Sequence, residues 1–190
     1  MIDLLRQSPL PRGSRDYRAA AFDLRELEAV AKVRVQVLRS RGLSVPAVSS
    51  MSLPGAPNTA SGVDPVALWK APDDWLVYSQ TLTAGALSDW VAAVTSESPL
   101  VVTDVSSASA VFELRGPRAI DVLLRDCSLD LEGDAIRPDA CAQTLFAQTS
   151  VLIHRPAEPH TWRLFVERSV ALHVWEWLVD TAGPAREASR

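Results

Sequence analysis

The chain has 190 residues, 47% of them hydrophobic, and a formal net charge of −4. A chain of this length buries roughly 70% of its unfolded surface, so it needs no metal or disulfide to fold and is no disordered adaptor. The charge argues against sequence-independent nucleic-acid binding. The arginines are scattered and Lys32 and Lys70 are the only lysines, so no basic stripe faces DNA or anionic lipid.

Residues 1–20 hold Pro9, Pro11, Gly13 and four arginines without an apolar period, and read as an arm that orders against a partner. The main domain is expected over 21–182, as one body or two pseudo-related lobes, with a flexible tail at 183–190. Residues 1–6 are too charged for a signal peptide. No apolar run approaches the ~20 residues of a membrane-spanning helix. Cys127 and Cys141 are the only cysteines, too few for a disulfide framework. These features predict a soluble cytoplasmic protein with reduced thiols.

Val33, Val35 and Val37 alternate with Lys32, Arg34 and Gln36, which predicts a half-buried strand over 30–38. Residues 44–63, rich in proline, glycine and serine, read as a connecting loop with room for one helical turn. Three strand–turn–strand–helix units then follow. The first runs from Val66 through Pro72-Asp73-Asp74 to Tyr78, with a helix over 84–94 carrying Leu87, Trp90, Val91 and Val94. The second pairs 100–105 with 110–114 across Ser106–Ser109. Gly116 ends its strand, and Pro117 at the first helical position opens a helix over 119–126. The third pairs 150–154 with 162–166, and Ser169 caps a helix to about 181. A strand over 141–148 precedes it. Hairpins alternating with single helices predict an α+β fold of antiparallel sheet with helices on one face.

Few residues are spaced for catalysis. The eight glycines form no G-x-G pair and no P-loop, so no pyrophosphate cradle is predicted. His154, His160 and His173 lack zinc-ligand spacing, and there is no C-x-x-C. Cys141 reads either as a reactive thiol beside a folate-type pocket or as a small buried hydrophobe at a strand start, and the second is favoured. Cys127 reads as core. Asp104 with Ser106 suits an Asx turn, and Asp73 and Asp74 suit a proline-initiated turn better than a pair of acid–base carboxylates.

The last helix points to a partner. Between Val170 and Val179 only His173 and Glu176 are polar, and Trp175 and Trp177 fall on nearly opposite sides. A helix apolar all round needs cover from its own fold or from a second protein, and tryptophan is enriched in interface hot spots. Trp175 and Trp177 are therefore candidate interface residues.

Several segments in order carry a resemblance to one family. They are Pro57-Asn58, Ala67-Leu68-Trp69 with Pro72-Asp73-Asp74-Trp75-Leu76, Asp104-Val105-Ser106, Leu114-Arg115-Gly116-Pro117 and Cys127-Ser128-Leu129-Asp130-Leu131. Ala140-Cys141-Ala142-Gln143-Thr144 and Phe165-Val166 with Trp175–Leu178 complete the set. The chain resembles the gamma subunits of heterotetrameric sarcosine oxidases. That resemblance implies the fold of folate-binding aminomethyltransferases and a non-catalytic subunit without catalytic, cofactor or metal residues of its own. It also implies alpha, beta and delta partners, chiefly alpha, that hold FAD, FMN, NAD, tetrahydrofolate and zinc while sarcosine is demethylated to glycine. A stand-alone folate-dependent aminomethyltransferase would be about twice as long and grip the pterin with residues that do not map here. An iron–sulfur maintenance protein would carry a Lys-Gly-Cys…Gly-Gln-Glu motif, of which Asp139-Ala140-Cys141-Ala142-Gln143-Thr144 keeps only Cys and Gln.

Overall fold

The computed structural model describes residues 8–11, 15–19, 22–37, 53–94, 100–132 and 136–183. Most of the expected arm, the tail at 184–190 and the first part of the expected loop, 44–52, lie outside these residues. The chain divides into two compact units that are not successive halves. One comprises Met1–Glu28, Ser107–Pro138 and Gln143–Arg190, the other Ala29–Ser106 and Asp139–Ala142.

The second unit is built on a five-stranded antiparallel sheet. Its strands are β3 (Ala31–Val37), β4 (Ala60–Ser61), β5 (Val66–Ala71), β6 (Asp74–Ser79) and β7 (Leu100–Asp104), in the order β4-β5-β6-β3-β7. Val33 and Val35 of β3 are fully buried, as the alternation predicts, but Lys32 is buried too, and only Arg34 and Gln36 are half-buried. Between β5 and β6 the chain turns through Pro72 and Asp73, where Asp73 adopts a φ of 62°. α1 (Ala84–Val94) opens on Thr83, whose hydroxyl accepts from the Ala86 amide at 3.2 Å. Leu87 and Val91, one turn apart, bring the helix onto Val33, Val35, Ala67 and Val77.

The first unit carries a six-stranded sheet in the order β1-β2-β8-β11-β10-β9. Its strands are β1 (Asp16–Arg18), β2 (Asp23–Glu26), β8 (Ser109–Arg115), β9 (Ala140–Phe146, which begins in the other unit), β10 (Thr149–Arg155) and β11 (Thr161–Glu167). On one face Leu24 lies opposite Leu114, which lies opposite Trp162, while Phe112 lies opposite Leu164, which lies opposite Ile153. α2 (Ala119–Leu123) and α3 (Ala171–Ala182) belong to this unit. Trp175 of α3 meets the Phe112 ring edge-on at 5.3 Å.

Five expectations need correction. Within the expected arm, Asp16–Arg18 is a strand, because Asp16, Tyr17 and Arg18 pair with Arg25, Leu24 and Asp23. β7 and β8 are not a hairpin: they belong to different sheets, and the turn between them passes the chain from one unit to the other. α2 ends at Leu123 rather than 126. Its last turn tightens, and Cys127 then bridges to Phe146. Pro117 stands one residue before the Arg118 N-cap of α2, and Ser169 caps nothing, since Arg168–Val170 is a 3-10 turn leading into α3.

Candidate functional site

The strongest concentration of charge lies on the other face of the six-stranded sheet, where Glu113 projects from the middle of β8. Cross-strand pairing sets Arg25 of β2 on one side of Glu113 and Arg163 of β11 on the other, and His154 of β10 lies opposite Arg163. Glu113 is fully buried and Arg163 nearly so. Arg25 donates to Oε1 of Glu113 from Nε at 3.0 Å and from Nη2 at 2.7 Å, and Nε of Arg163 donates to Oε2 at 2.9 Å. The Arg115 guanidinium stands 2.7 Å from Oε1. Both carboxylate oxygens are therefore occupied. The charges alternate across and along the strands: Asp16, Arg25, Glu113 and Arg163 form one row, and Arg18, Asp23 and Arg115 the next.

The electrostatics follow from these contacts. Burial pushes the Glu113 carboxyl up, but the hydrogen bonds from Arg163 and Arg25 outweigh it and hold the group below the usual carboxylate range. Burial, reinforced by the Arg163 charge, pushes the His154 imidazole down to about 3, so it stays neutral at ordinary pH. A cavity of about 190 Å³ opens beside this face, lined by Tyr17, Arg18, Arg25, Glu113 and Arg115 among others. The arrangement holds a buried carboxylate ionised and satisfied. It offers no free base, because each oxygen that could accept a proton already accepts from a guanidinium.

The residues weighed from the sequence do not converge. Cys141 is fully buried, and its thiol donates towards the Thr59 and Trp69 carbonyl oxygens at 3.3 and 3.4 Å. Burial pushes that thiol up to about 12, which makes it a packing group and not a nucleophile. Cys141 is therefore expected to resist an alkylating reagent at pH 8 until the chain is denatured, while half-buried Cys127 reacts first. Peptide mass spectrometry reads this directly, and rapid labelling of native Cys141 would overturn it.

Asp74 pairs with Arg34, receiving Nε at 2.9 Å and Nη2 at 2.5 Å. Asp104 forms the expected Asx turn with the Ser106 amide at 2.9 Å, though it closes no hairpin, and the Ser106 hydroxyl accepts from the Lys32 amide at 2.8 Å. His173 lies 3.2 Å from the Ala147 carbonyl oxygen. Among the described residues no three His, Cys, Asp or Glu side chains gather in a way that could hold a metal ion.

On α3 the two tryptophans differ. Trp175 is 4% exposed and belongs to the core of its unit, whereas Trp177 is half-buried, with its ring edge-on to Phe146 at 4.9 Å. Leu172 remains exposed on the same helix. Among the described residues no helix is long and apolar enough to cross a membrane. The Glu113 cluster was not among the residues singled out from the sequence, where Glu113 was only part of the strand expected over 110–114. Its one available signal was that Glu113 and Arg163 are charged positions of opposite sign within apolar strands.

The family model described as "Sarcosine oxidase, gamma subunit family" matches residues 35–184. The sarcosine oxidase subunit gamma of Corynebacterium sp. (strain U-96) is 29% identical over 192 residues, covering 95% of this chain and 92% of that protein. Its counterpart from Corynebacterium sp. (strain P-1) is 30% identical over 167 residues, covering 85% and 80%. Among solved structures, a chain of the heterotetrameric sarcosine oxidase from Corynebacterium sp. U-96 in complex with pyrrole 2-carboxylate superposes with a TM-score of 0.73. It is 25% identical and is covered to 87%, as is this chain. The glycine cleavage system aminomethyltransferase T from Bartonella henselae superposes with a TM-score of 0.59 at 14% identity, over 86% of this chain and 46% of that one. The second likeness concerns the fold alone.

Proposed function

The chain belongs to the sarcosine oxidase gamma subunit family, and from that premise we propose that it is a structural, non-catalytic subunit of a heterotetrameric sarcosine oxidase. One observation supports the non-catalytic part above others: the groups most suited to chemistry are already spent inside the chain. Glu113 is held by three arginines, Cys141 by two backbone carbonyls and Asp74 by Arg34. The partners are alpha, beta and delta subunits, alpha foremost, and the compartment is the cytoplasm.

FAD, FMN, NAD, tetrahydrofolate and zinc belong on those partners. The sequence of this chain has no glycine cradle for the pyrophosphate of FAD or NAD, and its described side chains form no metal cluster suited to zinc. The part of Trp177 left exposed beside Phe146 contributes to assembly, while Trp175 fixes the helix on Phe112.

A tagged chain recovered from its own cells is expected to bring down three other chains in a flavin-coloured complex, and alone to make no peroxide from sarcosine. A colourless monomer, or peroxide from the isolated chain, would overturn the reading. Trp177→Ala is expected to reduce recovery of the other subunits while lowering stability by only about 1 kcal/mol. Trp175→Ala is expected to cost about 3–5 kcal/mol in folding. If Trp177→Ala assembled normally but melted as early as Trp175→Ala, Trp177 would be a core residue only.

A further inference from the structure

Sheet edges are places where a chain meets another chain, and proteins normally blunt them. Three of the four edges here are blunted. β1 has three residues, two of them charged, and β4 has only two residues. The outer edge of β9 is occupied: the Cys141 amide donates to the Asn58 carbonyl, the Ser128 amide donates to the Leu145 carbonyl, and Thr59 and Cys127 bridge its two ends.

β7 is less protected, with its one charge, Asp104, at its C-terminal end. It pairs with β3 over five consecutive residues without a bulge, and Leu100-Val101-Val102-Thr103 contains no proline, lysine or other charge. Among the described residues nothing pairs with its other side.

The ladder fixes which groups point outward. The Val105 amide donates to the Lys32 carbonyl at 2.9 Å, and the Val37 amide donates away from β7, to the Asp73 carbonyl at 3.0 Å. Backbone groups alternate along a strand, so Val101 and Thr103 spend theirs on β3, and Leu100 and Val102 present theirs at the outer edge. Their side chains still pack on the core of the unit, while Val101, on the opposite face, is 38% exposed.

We infer that this edge receives an extended segment of another subunit as a sixth strand of the sheet. A row of alternating amides and carbonyls is satisfied repeatedly only by another extended backbone, and exposed Val101 supplies an apolar neighbour for its side chains. The inference rests on the reading of the chain as one subunit among unlike ones, which makes the incoming strand another subunit's and not a second copy's.

The test co-expresses the full chain with the other subunits of its enzyme and compares Val102→Pro with Val102→Thr. Proline removes the outward amide without touching the β3 ladder, a position edge strands tolerate. Threonine keeps that amide at nearly the same size. Val102→Pro is expected to fold yet reduce recovery of the other subunits by roughly two- to tenfold, the effect of losing one backbone hydrogen bond. Val102→Thr is expected to assemble like the parent chain. In the parent chain the Val102 amide is expected to exchange freely when isolated and slowly in the assembly, a readout that decides the matter even if Val102→Pro does not fold.

Undiminished assembly of Val102→Pro would overturn the inference and leave the subunit reading intact. So would a Val102 amide already protected in the isolated monomer, where another segment of the chain covers the edge, or one protected only in a homodimer. A parent chain that retains no other subunit would sink the subunit reading, and the edge inference with it.

Discussion

Replacing Glu113 by alanine is expected to lower the unfolding free energy by about 3–5 kcal/mol, the cost of stranding a buried charge. Arg163 bears most of that cost, because it is only 5% exposed, gives its Nε hydrogen to Glu113, and meets the exposed Glu158 carboxylate only at 3.7 Å. Arg25 and Arg115 are far less affected, since their side chains are 45% and 47% exposed and can turn to water. The double variant Glu113→Met/Arg163→Met is expected to recover most of the loss, because replacing both members of a buried pair by apolar groups of similar volume is often close to neutral. Urea denaturation of the three proteins settles the point. A Glu113→Ala chain within about 1 kcal/mol of the parent would mean that water already screens Arg163.

Acidification is expected to destabilise the parent chain well before ordinary carboxylates titrate. The His154 imidazole is held down to about 3 in the fold, against an ordinary value of 6.5. Between those values the unfolded chain binds a proton that the folded chain refuses. The stabilising contribution is therefore complete above pH 6.5 and is lost as pH falls from there towards 3. From pH 6.5 to 5 the loss is about 1–2 kcal/mol. Glu113 acts with the same sign but only lower down, since its depressed carboxyl stays ionised until below the ordinary range. His154→Gln is expected to flatten the pH dependence of the melting temperature between pH 6.5 and 5. If the variant and the parent lost stability in parallel over that range, His154 would have to be solvated in the fold.

The parts of the fold legible in the sequence were those where a periodic apolar pattern met a single environment. β3 alternates from Val33 to Val37 because its valines face the core while Arg34 and Gln36 do not, and α1 announces itself by Leu87 and Val91 on one side. β1 and β2 were missed because Asp-Tyr-Arg and Asp-Leu-Arg-Glu are nearly all polar, and only pairing with β8 makes them strands. The separation of β7 from β8 was not legible because the turn at 105–108 is as short as a hairpin turn. What removes β8 from the sheet of β7 is tertiary, and local residue preferences carry no trace of it.

The charged face was hidden for a related reason. Alternation predicts which side chains share a face, but says nothing of whether that face meets water. For the last helix, an apolar surface all round was readable from 170–179. The burial of Trp175 on Phe112 and the partial exposure of Trp177 were not, because two tryptophans 200° apart on a helix are equivalent until neighbours are placed.

The alternating charges on β1, β2, β8 and β11 also guard against mis-threading. The smallest slip that keeps apolar side chains on the apolar face is two residues. Sliding β2 along β8 by two would set Arg25 against Arg115 in one direction and Asp23 against Glu113 in the other. Sliding β1 along β2 would set Arg18 against Arg25, or Asp16 against Asp23. Like charges directly opposite are destabilising, so a two-residue slip of these short strands is penalised while the native alignment sets opposite charges together at alternate rungs. A three-residue strand such as β1 has too little apolar surface to select its own alignment, and on this sheet its charges make the selection.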